Sequence, residues 1–347
     1  MSKTSFESSD YKVYDFRKLW KYFPIKRYQK ETVKRIIFGT FSFAFQNWAS
    51  YHNWKKAQLF VPKNGHLLNA WYWKQLFSNN YTIDISKPLN IHKEKTKTDR
   101  LAIVIHAFYL DIFDEIIDYL KKSDFDNISL YITTNIKLIN TIEEKLKVTG
   151  YSYIIMVVEN HGRDILPFLK ILPKVISDGH EVILKLHTKG SNHLNKKIPW
   201  RYDLFNKLIG DNSINKSLLT FNQNPNIGMI GPSGHIIPMH FYYGSNAHSV
   251  EILSNKMGVQ NDQLMGLNFA AGSMFYVKTE CLLPILKLNL EDEMFEVEAN
   301  STDGTLAHAV ERIFAVGLIA QKKELADTDY DNAIPILKVC KNHSFTQ

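Results

Sequence analysis

The sequence predicts an α/β fold with a mostly parallel, Rossmann-type central sheet, preceded by a helical, basic and aromatic N-terminal extension. Two observations carry the sheet. Apolar runs of strand length alternate with helical periodicities from Leu101 to Leu186, and such alternation implies right-handed βαβ units. Four polar clusters also begin where apolar runs end: Glu159-Asn160-His161-Gly162-Arg163-Asp164, Lys185-Leu186-His187-Thr188-Lys189, Ala271-Gly272-Ser273-Met274-Phe275 and Asp303-Gly304-Thr305-Leu306-Ala307-His308. In an open α/β sheet the ligand crevice lies beyond the carboxyl ends of the strands. The clusters are therefore expected to share one site, suited to an anionic ligand held beside an acid or base.

The elements follow in order, with residues 1–97 as the extension, 98–325 as the main domain and 326–347 as a tail. Leu101–Ile105 reads as a buried parallel strand. Asp111–Lys122 follows with helical spacing at Ile112, Ile116, Tyr119 and Leu120. Strands at Ile128–Thr133, Tyr153–Val158 and Glu181–Leu186 alternate with helices at Ile136–Lys147 and Asp164–Ser177. Trp200–Leu208 and Ile214–Phe221 read as helices and Asn226–Gly231 as a short strand. Pro232–Asn246 is uncharged and rich in Gly, Pro, Tyr and His, and a long irregular segment of this kind is usually a binding loop or lid. Beyond it, Ala247–Met257 reads as a helix, Asn268–Val277 as a strand, and Cys281–Leu288 and Asp303–Val316 as helices. Residues after Lys322 read as a tail, with Ile334-Pro335-Ile336-Leu337 as a candidate edge strand.

Composition is that of a globular chain: 347 residues, 45% hydrophobic and 22% charged, enough for one large domain or two smaller ones. A net charge of +7 favours polyanions, anionic membranes or phosphorylated substrates without choosing among them. Two cysteines, Cys281 and Cys340, are too few for a disulfide framework or a zinc site and suit a reducing cytosol. Met1–Glu7 lacks an apolar signal-peptide core.

The basic charge is uneven. Lys12, Arg17, Lys18, Lys21, Lys26, Arg27, Lys30, Lys34 and Arg35 precede Ile36–Trp48, in which Ile37, Phe41, Phe45 and Trp48 share a helical face. The apolar part is too short to span a bilayer, which needs about 20 residues. A basic collar beside an aromatic stripe fits a helix lying on an anionic membrane. It equally fits a helical cap packing on the main domain. Nucleic acid ranks below both, because no nucleic-acid module accompanies the stripe.

Several chemistries are missing. The chain has no G-x-x-x-x-G-K-[ST] loop, no G-x-G-x-x-G fingerprint, no G-x-S-x-G elbow, no H-E-x-x-H and no paired-Cys zinc motif. No D-x-D pair follows a strand, and Asp111-Ile112-Phe113-Asp114 reads as a solvated helix face.

The remaining polar residues have a direct physical reading. Lys185, His187 and Lys189 alternate where the fourth strand ends and so share a face, a set suited to a diphosphate. Arg163 suits a phosphate or a base, and Asp164 suits a sugar hydroxyl or, equally, a helix N-cap. His106 and Tyr109 follow the first strand, where nucleotide base contacts are expected. Small Gly272, with Ser273 beside it, allows close ligand approach. Asp303 opens the last helix as either an N-cap or a general base for a sugar hydroxyl, with His308 nearby and Glu311 and Arg312 placed to pair with neighbours.

Six blocks in order resemble the rhamnan synthesis protein F family: His106–Asp111, Asn160–Leu169, Leu184–Lys189, Ile227–Pro232, Ala271–Phe275 and Asp303–Arg312. The resemblance covers about residues 100 to 320. His161 stands where a basic residue, usually Arg, is expected, and the first ninety-odd residues carry no part of it. The resemblance implies a GT-A-like single-domain glycosyltransferase of bacterial surface polysaccharide assembly. Its donor is expected to be dTDP-rhamnose, with galactofuranose or fucose donors as alternatives, and its acceptor a polyprenyl-diphosphate-linked glycan. It implies nucleotide-sugar contacts from His106, Tyr109, Arg163, Asp164, Lys185, His187 and Lys189, acceptor contacts from Gly272, Ser273 and His308, and Asp303 as catalytic base of an inverting displacement. The metal stays unassigned: either no cofactor, with protein cations holding the diphosphate, or a divalent magnesium or manganese ion. The expected location is cytoplasmic, peripheral on the inner face of the membrane, without nucleic acid. A non-catalytic scaffold of the polysaccharide machinery is the rival from another class.

Overall fold

The computed structural model describes residues 33, 36–46, 51, 101–188, 200–296 and 303–330. A seven-stranded sheet runs through them in the order β3 (Ser152–Val157), β2 (Ser129–Thr134), β1 (Leu101–Ala107), β4 (Val182–His187), β8 (Phe275–Lys278), β5 (Ile227–Gly231), β9 (Glu324–Asp327). The first four strands of the chain, β1 to β4, pair in parallel, and the helices α1 (Leu110–Lys122), α2 (Ile139–Lys147) and α3 (Ile165–Ser177) connect them. Their apolar runs alternate faces as a sheet requires. Ala102, Val104 and Ile183 pack towards α3, whereas Leu101, Ile103 and Leu184 join α1.

The second half departs from this regularity. After α4 (Trp200–Ile209), α5 (Ser213–Gln223) and β5 (Ile227–Gly231), the uncharged segment is not wholly irregular. It forms β6 (Ile236–Pro238) and the one-turn helix α6 (Met239–Tyr242), followed by α7 (Ala247–Lys256). The expected single strand at Asn268–Val277 breaks in two. Its first part, β7 (Asn268–Ala270), pairs with β6; its second, β8 (Phe275–Lys278), enters the main sheet antiparallel to β4 and β5. Left-handed Gly272 and Ser273 (φ 87° and 57°) make the break, because a strand cannot run through positive φ. The helix expected at Cys281–Leu288 is a 3-10 turn leading into α8 (Leu283–Leu286). α9 (Leu306–Ala320) begins three residues after Asp303, with Thr305 and His308 forming its capping box. Part of the expected tail is structural: β9 (Glu324–Asp327) pairs with β5 at the sheet edge. The candidate strand at Ile334–Leu337 lies outside the described residues.

The β1–α1 corner is held from a distance. Thr188 Oγ1, just past the end of β4, accepts from the amides of Phe108 (2.7 Å) and Tyr109 (3.0 Å), the two residues that lead into α1. In the extension, the continuous helical face expected through Phe41 and Phe45 is interrupted. The helix at residues 36–40 gives way to a 3-10 turn at Ser42–Phe45. Phe38 is buried against Phe45 and Tyr51, leaving Ile36, Phe41 and Phe43 exposed. Trp48 lies outside the described residues.

Candidate active site

The predicted clusters converge at the carboxyl edge of β1 and β4, and a buried carboxylate forms their centre. Asp164 occupies the N-cap position of α3, yet its side chain makes no capping bond. It turns instead to the sheet, 2.5 Å from Lys185 Nζ and 3.3 Å from His187 Nδ1. Lys185 and His187 share a face because they sit two apart on β4, and His187 is level with His106 across the β1–β4 ladder. Lys185 is 1% exposed and also donates to Ser273 O and Ser273 Oγ, each at 2.8 Å. Phe168 of α3 places its ring 5.3 Å from Nζ.

Burial by itself would push the Asp164 carboxyl up; His187 and Lys185 together outweigh it and hold the group well below the usual carboxylate range. Burial lowers His106 to about 4, against a smaller upward pull from Asp164, so its imidazole is neutral near pH 7. His106 Nδ1 lies 2.9 Å from Thr133 Oγ1. Tyr109 sits half-exposed at the same corner, its ring edge-on to Phe108 at 4.9 Å.

Arg163 adopts a left-handed backbone (φ 58°) and reaches across to α9, where its Nη1 lies 3.0 Å from His308 Nε2. Arginine can only donate, so His308 Nε2 is the acceptor. On its other side His308 Nδ1 lies 2.7 Å from Thr305 Oγ1 and 3.3 Å from Thr305 N. His308, expected on the acceptor side, is thus brought to the arginine expected on the donor side.

Asp303 faces a different neighbourhood. Its Oδ2 accepts from Ser245 N at 2.8 Å, and its Oδ1 accepts from the Asn246 side-chain amide and lies 3.6 Å from Arg312 Nη2. The carboxylate keeps a partly exposed edge. Arg312 also donates to Tyr242 O and His308 O, so Asp303 and Arg312 together anchor the segment after α6. Glu311 accepts from Gly272 N at 2.9 Å. Gly272 lies over the Trp200 indole, where an added Cβ would stand 2.4 Å from the ring. Ser273 is 3% exposed and faces Lys185. Lys189 lies outside the described residues.

Sequence reasoning missed a second polar cluster next to this edge. Asp203 Oδ2 is 2.8 Å from Lys207 Nζ and 2.5 Å from His235 Nε2, and His235 packs edge-on to Trp200. Burial raises Asp203, but Lys207 and His235 bring it below the usual range. The Asp203/Lys207 spacing of i,i+4 on a helix was the available signal. Among the described residues, no three His, Cys, Asp or Glu side chains are grouped to hold a metal. None of their helices is long and apolar enough to cross a membrane.

Fold and site together define an α/β protein with a mostly parallel seven-stranded sheet and a cluster of charged side chains at its carboxyl edge. Residues 66–324 match the family described as rhamnan synthesis protein F, and the chain belongs to that family. The match begins at residue 66, inside the part that sequence reading assigns to a separate extension. Two proteins from strains of Xanthomonas campestris pv. campestris, each described as uncharacterized protein WxcX, are 32% identical over 237 residues, covering 68% of this chain and 34% of their own length. The chain therefore spans about a third of the length of these curated relatives.

Proposed function

We propose that this chain is a GT-A-type glycosyltransferase of bacterial surface polysaccharide assembly, transferring a sugar, with L-rhamnose from dTDP-rhamnose as the first candidate, to a lipid-linked glycan. The observation that carries the reading is the meeting of Arg163, the Asp164–Lys185–His187 cluster and His308 at one sheet edge, in a chain of the rhamnan synthesis family. The single antiparallel strand β8 within an otherwise parallel order supports the GT-A type.

In this reading the sugar nucleotide lies over the ends of β1 and β4, with His106 and Tyr109 towards the base and Asp164 and His187 along the ribose and diphosphate. Arg163, with Lys189, neutralises the leaving diphosphate. The acceptor approaches past Gly272 and Ser273, and Asp303 takes the proton of its hydroxyl. The acceptor oxygen bonds the anomeric carbon as the bond to the diphosphate breaks, inverting the configuration and releasing the nucleoside diphosphate. The protein works at the inner face of the membrane, a reading supported by exposed Ile36, Phe41 and Phe43 beside a basic sequence. Co-flotation with anionic but not neutral vesicles tests that location.

The central test is turnover and binding of a sugar-nucleotide panel, read by released nucleoside diphosphate with and without EDTA. Turnover of dTDP-rhamnose that falls about 10²- to 10⁴-fold in Asp303→Asn supports the reading. Activity that EDTA abolishes and manganese or magnesium restores overturns diphosphate neutralisation by protein cations alone. Failure to bind any nucleotide overturns the enzyme class.

A further inference from the structure

Among the described residues, five non-glycine positions have positive φ, and two of these, Arg163 and Ser273, follow a glycine that is itself left-handed, Gly162 (φ 64°) and Gly272 (φ 87°). A left-handed non-glycine residue is strained and persists only where its surroundings impose it. These two turns are remote in sequence, yet both lead to the same ammonium group. Asp164, the neighbour of Arg163, accepts from Lys185 Nζ, and Lys185 donates again to both the carbonyl and the hydroxyl of Ser273.

An ammonium group has three N–H bonds, and these three contacts match them. A phosphate oxygen reaching Nζ would have to displace the buried carboxylate or a Ser273 oxygen from its donor, which is costly where water cannot take over. Lysine suits this place because its compact head sits within 2.8 Å of oxygens from two separate turns, a cluster that a planar guanidinium does not match. Glu311 holds Gly272 N from the other side.

We propose that Lys185 is a positioning residue and not a phosphate ligand: with Asp164 it staples the Gly162–Arg163 turn to the Gly272–Ser273 turn, so that one buried ion pair sets both the direction of Arg163 and the wall past which the acceptor enters. The ligands named here rest on the glycosyltransferase reading; the staple itself does not.

The test uses the full chain with Lys185→Met, Asp164→Asn, Ser273→Gly and their combinations. Lys185→Met is expected to raise the KM for donor and for acceptor together, each by roughly ten- to hundred-fold, because small misplacements have effects of that size. Adding Ser273→Gly, which makes the left-handed turn intrinsic, should recover several-fold of the acceptor KM and leave the donor KM raised. A rise in donor KM alone, untouched by Ser273→Gly, makes Lys185 a phosphate ligand and overturns the proposal. If Lys185→Met does not fold, Lys185→Gln takes its place in the same comparison with the same two outcomes. If no sugar nucleotide is turned over, the glycosyltransferase reading fails while the staple is still decided by melting temperatures. Asp164→Asn and Ser273→Gly, linked through Lys185, must then shift the melting temperature non-additively, and additive shifts overturn it.

Discussion

The two halves of the sheet handle charge in opposite ways. On the β3-β2-β1-β4 side, parallel ladders satisfy the backbone, and the charged side chains at the edge meet each other: Lys185 and His187 converge on Asp164. On the β8-β5-β9 side, carboxylates serve the backbone. Asp303 accepts from Ser245 N at 2.8 Å, Glu311 from Gly272 N at 2.9 Å and Glu296 from Leu306 N at 2.8 Å. Buried amides need partners, and where broken strands and one-turn helices leave ladder positions empty, acidic side chains fill them. Asp303, Glu311 and Glu296 therefore have a structural task before any chemical one, whereas Asp203 of the same half pairs with Lys207 and His235.

The strongest way to break this contrast is Asp164→Ala. It leaves Lys185 buried without its carboxylate and is expected to cost about 3–5 kcal/mol in urea unfolding; a loss below about 1 kcal/mol would mean the ion pair hardly matters to folding. Next in size is a pH effect on the same side. His106 titrates near 4 in the folded state against 6.5 as a free side chain. As pH falls below 6.5 the unfolded chain takes up the proton first, so stability is full above that value and declines between pH 6.5 and 4. The decline is on the order of 3 kcal/mol. Further down, Asp164, whose folded value is depressed, adds a second loss as pH falls through it. His106→Gln should flatten the upper decline and leave the lower one, as read by melting temperature against pH.

On the other side the expected effects are smaller. Gly272→Ala forces a Cβ towards Trp200 at a left-handed position and is expected to cost about 1–3 kcal/mol. Glu311→Ala removes one carboxylate–amide bond and should cost about 1–2 kcal/mol. A Glu311 effect as large as that of Asp164 would erase the distinction between the halves.

The same contrast explains what the sequence revealed. The first four strands and three helices appear within a few residues of their predicted bounds, because each buries a continuous apolar run or stripe that local periodicity displays. Lys185, His187 and Asp164 were legible as a group because strand alternation and the helix start place them together. Their use was not: Asp164 reads equally as a sugar-hydroxyl ligand or an N-cap, because local sequence cannot show a lysine arriving from β4. In the irregular half, Asn268–Val277 reads as one strand because Ser273 carries no local sign of positive φ. The roles of Asp303 and Glu311 depend on amides of Ser245 and Gly272 that only the tertiary fold brings near. β9 escaped notice because a four-residue edge strand, Glu324–Asp327, is too short for its pattern to emerge.

Thr188 has a consequence for the order of assembly. The corner that starts α1 is closed by a hydroxyl 80 residues further along. Loop closure over such a span carries an entropic cost that must be met before the contact forms, and contacts of this separation slow folding. As the chain emerges from the ribosome N-terminus first, its leading βα unit waits with an open corner until the fourth strand docks. The first βα unit of the sheet is completed by one of the last residues of the parallel half.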